Sequence, residues 1–438
     1  MSERVDATHD ASLRSWVVTA NDPNTDFPIQ NLPLGLFRRR GSTDAAGPCV
    51  AIGDRILSLS ACAREDLVSG EVSELAKLRL SESLHPLMAL GRDAVRALRR
   101  WLIEILQAGN TAAQRMEPRI TLPMADVELL LPARIGDYSD FYASIHHATN
   151  VGSMFRPDSP LLPNYKYVPI GYHGRASSIV VSGTPIRRPT GQARDDQNAP
   201  PSYGPTRRLD YEMEVGAFIG RGNALGEPIA VANASDHLWG LCLLNDWSAR
   251  DIQSWEYQPL GPFLSKSFAT TISPWVVTLD ALAPFQVPAM SRPAGDPAPP
   301  SYLSHSNEEQ SGGIDLTLEV WLRSAKMREK GTASMLVSRG RLRDMYWTIG
   351  QLLTHHASNG CNLRPGDLIG SGTVSGQTKE SRGCLLERTW RGEEPLELPT
   401  GERRTFLEDG DEVIMRGSAE REGFRRIGFG ECTGVVRA

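Results

Sequence analysis

Cysteine is scarce and scattered in this chain. The six residues, Cys49, Cys62, Cys242, Cys361, Cys384 and Cys432, contain no C-x-x-C pair. That removes the usual spacings of zinc ribbons and dithiol redox centres and leaves reduced, mostly structural thiols as the expectation. Long apolar runs are missing as well: no segment approaches the roughly 18 uncharged residues that a membrane span needs. The opening ten residues carry no apolar stretch of secretory type, so a cytoplasmic protein is expected. There is no basic excess. A net charge of −5 at pH 7 argues against nucleic acid as the main partner. No G-x-S-x-G, G-x-G-x-x-G or P-loop pattern occurs, so serine-hydrolase, dinucleotide and nucleoside-triphosphate chemistry lack their ordinary signatures.

What remains is a normal globular balance, in a chain whose 438 residues exceed one ordinary core. Two domains are expected, residues 1–125 and 126–438. In the first, residues 16–19 and 49–57 look like short strands, with Pro28, Pro33 and Gly35 making turns between them. Leu87, Leu90, Val95, Leu98, Leu102 and Ile105 then recur at helical spacing and predict one amphipathic helix over residues 83–107. From residue 126 onward, β-branched and aromatic runs at 178–182, 213–219, 273–278, 315–322 and 411–415 are separated by Pro and Gly. They predict a large, mostly antiparallel β domain with few helices, one of them at 341–358. Residues 288–313 read as a surface loop.

The chemistry-bearing candidates are carboxylates. Glu212 and Glu214 lie two apart in a strand-like run and so project from one face. Two carboxylates brought to about 4 Å repel by roughly 4 kcal/mol at an effective dielectric near 20. Water, a shared proton or a cation must offset that, and the pair alone is equally a solvated strand face. Asp246 closely follows the apolar run at 241–244, the end of a buried strand, and has either Arg250, four residues on, or a metal as partner. Were Asp140, Glu212, Glu214 and Asp246 to converge, their all-oxygen set would suit Ca²⁺ or Mg²⁺ rather than zinc. His147 alone is an unremarked histidine. His355 and His356 read as structural on a helix, where neighbours cannot share a face.

Several longer stretches carry a resemblance. Ile135-Gly-Asp-Tyr-Ser-Asp-Phe-Tyr142, His147-Ala-Thr-Asn-Val-Gly152, Gly171-Tyr-His-Gly-Arg175 and Asn245-Asp-Trp-Ser-Ala-Arg-Asp-Ile-Gln253 stand in one order with Lys266-Ser-Phe268, Thr354-His-His356 and Ser371-Gly-Thr373. Together they resemble the fumarylacetoacetate hydrolase family from about residue 130 onward, more weakly before it. The resemblance implies a mainly β (α+β) protein, with a small N-terminal SH3-like barrel and a large C-terminal β-roll domain, acting as a homodimer. It implies hydrolysis of a small diketo acid, fumarylacetoacetate, to fumarate and acetoacetate at the end of tyrosine and phenylalanine breakdown. By position, Asp140, Glu212, Glu214 and Asp246 would hold Ca²⁺, with Lys266 and Thr270 beside Asp246 at a Mg²⁺ site. His147 would be the general base and Glu387 its acidic partner, with Arg250, Gln253 and Lys266 around the developing charge. Tyr142, Arg156, Gln253, Tyr257 and Thr373 would hold substrate. Three positions depart from the family pattern: Ser265 and Ala269 replace glycines, and His146 precedes the base.

This division of labour suits the reaction. A metal polarises carbonyl oxygens, a histidine takes a proton near neutrality, and a carboxylate fixes its tautomer. Two other functions stay open: a sister reaction such as acylpyruvate hydrolysis or keto-acid decarboxylation, and a metal-stabilised binding protein without catalysis. The N-terminal module argues against the first, and the presence of His147, Glu387, Arg250 and Lys266 together argues against the second.

Overall fold

The computed structural model describes residues 5–68, 72, 83–194, 196 and 198–438. Early in the chain, strands Leu34–Arg39, Gly47–Ile52, Arg55–Ser58, Thr121–Pro123 and Val127–Leu130 form one antiparallel sheet. The run at 49–57 is a hairpin, not one strand. Gly53 turns the chain at φ +57°, where an added Cβ would sit 2.6 Å from the Ala20 nitrogen. Residues 16–19, expected as a strand, instead lead into the 3₁₀ helix Val18–Asn21. The helix expected at 83–107 is two helices, His85–Ala89 and Arg92–Leu106, parted by Gly91 at φ +77°. A residue in that left-handed conformation ends a helical turn, and the 3.6-residue pattern does not register it. Val95, Leu98, Leu102 and Ile105 are buried as the spacing predicts, whereas Leu90 is exposed.

The larger part of the chain holds two principal sheets. One is eight-stranded and runs Gly171–His173, Tyr138–Phe141, Leu368–Gly370, Met213–Ile219, Leu238–Asp246, Thr270–Ile272, Ile179–Val181, with Val277–Thr278 also paired to Leu238–Asp246. The other is five-stranded: Met335–Arg341, Thr317–Arg323, Glu412–Ala419, Ile427–Arg437 and Ile186–Arg187. Most pairs are antiparallel, but Leu368–Gly370 runs parallel to Tyr138–Phe141, Thr270–Ile272 to Ile179–Val181, and Ile427–Arg437 to Ile186–Arg187. The helix expected at 341–358 is shorter, Ile349–Ala357, capped by the Thr348 side chain. The expected loop at 288–313 contains a helix, Ser306–Ser311. No helix among the described residues is long and apolar enough to cross a membrane.

Met213–Ile219 sits in the middle of the first sheet and is buried on both faces. Met213, Val215, Ala217 and Ile219 pack into a core shared with Leu318, Val320 and Val413 of the second sheet. On the other face, Phe218 joins Leu244 and Leu368 in a core shared with Leu36, Val50 and Leu102 from the first part of the chain. Strands covered on both sides read as near-continuous apolar runs, as this one does after Glu214. Glu212 and Glu214 therefore stand at the mouth of a dry strand, 5% and 1% exposed. A solvated strand face is excluded.

Candidate active site

Register brings the four carboxylates together. The Asp246 nitrogen donates to the Glu212 carbonyl at 3.3 Å, which sets these residues opposite each other. Asp140 pairs with Gly370, and Gly370 with Gly216 on the Glu214 strand. That row has no side chains between Asp140 and Glu214, so both carboxylates fold over it. A Cβ on Gly370 would lie 2.4 Å from Asp140 Oδ1 and 3.2 Å from Glu214 Oε2. Asp140, Glu212, Glu214 and Asp246 each offer an oxygen within 4.8 Å of the others.

Two cations compensate one side of this cluster. Lys266 Nζ donates to Glu212 Oε2 at 2.6 Å and to Asp246 Oδ2 at 2.7 Å. Arg250 bridges Glu212 Oε1 at 2.7 Å and Asp210 Oδ2 at 2.9 Å, and also donates to Gln253 Oε1 at 3.1 Å. Burial raises the Glu212 carboxyl, but Lys266 and Arg250 outweigh it and hold the group below its usual range. Asp246 receives Tyr172 Oη at 2.8 Å and Thr270 Oγ1 at 3.1 Å. Its partner is Lys266, not Arg250. The expected i, i+4 pair fails because Asp246 ends a strand and the helix begins only at Arg250.

The other side is uncompensated. Burial and the Asp246 charge push Asp140 up to about 8. Burial, Asp140 and Glu212 push Glu214 well above its usual value. Asp140 Oδ1 and Glu214 Oε1 are buried without a hydrogen-bond partner. Five buried carboxylates (Asp140, Asp210, Glu212, Glu214, Asp246) thus face two buried cations, Arg250 and Lys266. An unpaired buried carboxylate oxygen is costly, and two in an all-oxygen cradle fit a hard divalent cation. If so, Gly370→Ala should lower Ca²⁺ affinity by about 10-fold, because a crowded ligand loses its aim. Calorimetric titration reads this directly, and unchanged affinity would remove Gly370 from the cradle.

A second constellation lies on the helix Ile145–Phe155. Ser144 caps it by accepting the His147 N–H at 3.2 Å, which fixes His147 in the first turn. His147 Nδ1 meets Glu387 Oε2 at 2.7 Å, both buried. Glu387 also accepts from Asn150, Ser375 and Cys384. Burial raises this carboxyl, but His147 and those hydrogen bonds outweigh it and hold it at about 2. Tyr142 stands edge-on to the His147 ring, centroids 5.1 Å apart. His146 is half-buried, and burial lowers its pKa. Glu387 bonds His147 and not its neighbour. Asp210 connects the two constellations: it holds Arg250 and accepts the N–H groups of Leu385 and Leu386 at 2.8 and 2.9 Å, opening the turn that carries Glu387.

The structure therefore joins Asp140, Glu212, Asp246, Lys266, Thr270, Arg250 and Gln253 in one hydrogen-bonded network, Asp140 through Tyr172, with Glu214 packed against it in the carboxylate cluster. Thr373 is buried beside Gly372, whose N–H donates to Glu214 at 3.0 Å, and its Oγ1 has no partner. Arg156 and Tyr257 lie outside the network. Arg156 is exposed and donates to the Pro160 carbonyl, and Tyr257 is exposed at the end of Arg250–Glu256. Neither Ser265 nor Ala269 has positive φ, so neither position needs the backbone freedom of glycine, although Ser265 Oγ is buried without a partner. His355 and His356 bond Tyr302 and Ser139, away from both constellations. Sequence reasoning missed Tyr172 and Asp210. The alternation Asp210, Glu212, Glu214 was a visible signal for the second.

The signature described as "Fumarylacetoacetase N-terminal" matches residues 30–132, and "Fumarylacetoacetate (FAA) hydrolase C-terminal" matches residues 138–437. Fumarylacetoacetase of Bos taurus is 49% identical over 427 residues, covering 96% of this chain and 98% of the bovine one. The Arabidopsis thaliana fumarylacetoacetase is 48% identical over 430 residues, 97% of this chain and 99% of that one. Among solved structures, a fumarylacetoacetate hydrolase from psychrophilic Exiguobacterium antarcticum superposes with a TM-score of 0.50 at 18% identity, covering 93% of this chain and 99% of that one. That likeness bears on the fold alone. The protein is a hydrolase with a small N-terminal domain and a large β-rich C-terminal domain. It belongs to the fumarylacetoacetate hydrolase family.

Proposed function

We propose that this protein cleaves the carbon–carbon bond of fumarylacetoacetate by adding water, giving fumarate and acetoacetate. The observation that carries the reading is a buried, undercompensated carboxylate cradle linked through Asp210 to a buried imidazole–carboxylate pair. A divalent cation in the cradle would supply Lewis-acid polarisation of the diketone oxygens. Asp140, Glu212, Glu214 and Asp246 would hold it as Ca²⁺. Mg²⁺ would sit beside Asp246, Lys266 and Thr270, where the Lys266 ammonium contributes charge but no lone pair.

With Nδ1–H directed at Glu387, His147 keeps Nε2 free to accept a proton from water. The resulting hydroxide attacks the carbonyl carbon of the fumaryl group, which becomes the new carboxylate of fumarate. The carbon–carbon bond breaks, and its electron pair leaves as the enolate of acetoacetate, which takes up a proton. Glu387 stabilises the imidazolium meanwhile. Arg250, whose buried Nη2 has no partner, Gln253 and Lys266 face the developing negative charge. Tyr142, Arg156, Gln253, Tyr257 and Thr373 hold the substrate, Arg156 by gripping a carboxylate. The reading extends to a homodimer in the cytoplasm.

Product analysis tests it against sister reactions. Each diketone consumed should yield one fumarate and one acetoacetate, whereas release of carbon dioxide would assign a decarboxylase.

A further inference from the structure

Cys384 enters that chemistry only as a hydrogen-bond donor to Glu387. Its Sγ lies 3.2 Å from Glu387 Oε2, the oxygen that meets His147 Nδ1 at 2.7 Å. His147, Cys384 and Glu387 each present one ligand atom within 4.8 Å of the other two. All three are buried, His147 3% exposed and the others 0%. Among the described residues this is the grouping that combines nitrogen, sulfur and oxygen donors, in contrast to the all-carboxylate cradle.

We propose that His147, Cys384 and Glu387 form a second metal site, selective for a thiophilic divalent cation such as Zn²⁺ or Cd²⁺, and that filling it disables the enzyme. Zinc takes thiolate sulfur at about 2.3 Å and imidazole nitrogen or carboxylate oxygen at about 2.0–2.2 Å, usually four-coordinate. Ligands on such a centre stand roughly 3.5 Å apart, which these side chains reach with small adjustments. Thiolate and carboxylate together carry two negative charges, so a filled site is neutral and suits its burial. The two sites sort cations by softness: the cradle offers a hard cation more oxygens, and Cys384 holds a soft one.

The protons balance simply. On binding, the thiol proton of Cys384 leaves to solvent, since a coordinated thiol is deprotonated outright. Imidazole that ligates through Nδ1 carries its proton on Nε2 instead, with none gained or lost. An Nε2–H group cannot accept a proton from water, so the base is lost. This last step rests on the proposed role of His147, whereas the binding itself does not. Because the ligands are buried, entry requires the Leu385–Arg388 turn to open, and inhibition should develop over time.

The test uses full-length protein saturated with Ca²⁺, with Cd²⁺ as the spectroscopic probe and Zn²⁺ as the inhibitor. Cd²⁺ should produce a thiolate-to-metal charge-transfer band at one equivalent per chain, and Cys384→Ser should abolish it. Serine keeps a donor for Glu387, and the variant, measured against its own uninhibited rate, should need at least about 10-fold more Zn²⁺ for half inhibition. An absent band, or a band and Zn²⁺ sensitivity unchanged in Cys384→Ser, would overturn the site and leave an ordinary S–H···carboxylate bond. A Cys384-dependent band without any loss of turnover would overturn the inhibitory role. If the untreated protein did not act on fumarylacetoacetate at all, the function reading would fail, yet the band would still decide the site.

Discussion

His147→Ala should lower kcat by about 10⁴-fold, the scale on which an imidazole–carboxylate pair acts as one unit, while Ca²⁺ affinity stays unchanged. The two effects separate because His147 bonds Glu387 and not the carboxylate cradle. His146→Ala should leave turnover largely intact, since no hydrogen bond ties that ring to Glu387. Steady-state kinetics of both variants, with calorimetric Ca²⁺ titration of each, reads the contrast. If His146→Ala were the inactive variant, the base would be the neighbouring ring and the Glu387 contact structural.

The second large effect compares one chemical change at two positions. Glu214→Gln should weaken Ca²⁺ binding by about 100-fold, because each anionic ligand weighs heavily in such sites. It should not destabilise the cation-free protein, since it removes a carboxylate that Asp140 and burial already oppose. Glu212→Gln should also weaken binding. In addition it should cost the cation-free protein about 3 kcal/mol, because it strips Arg250 and Lys266 of a buried partner. Denaturant unfolding in the presence of a chelator measures both. Equal losses of stability would mean that the charge division within the cradle is wrong.

Much of the site was legible because its residues come in short, dense motifs. Sequence analysis singled out Glu212, Glu214, Asp140 and Asp246, and the family resemblance added His147 and Glu387. What local rules could not supply was context. The E-x-E pair reads as solvated until Phe218 and Val215 are seen to pack into different cores. Spacing suggested an Asp246–Arg250 pair, but a strand-to-helix junction between them breaks the i, i+4 geometry. His146 and His147 differ only in the direction they take from one helical turn. The residue that chooses between them is Glu387, 240 positions away. Gly91 interrupts a helix whose apolar period runs on unbroken, and a single positive φ leaves no trace in that period. Asp210 had the clearest overlooked signal, alternating with two residues already suspected.

In the proposed reaction the cation of the cradle and the His147 base act together on one diketone. Its most direct measurement is the absorbance of fumarylacetoacetate with purified protein, first after chelation and then with Ca²⁺ restored. The proposed reaction requires little loss of diketone absorbance after chelation and rapid loss once the cation returns. Absorbance that stays constant with Ca²⁺ or Mg²⁺ present would contradict it.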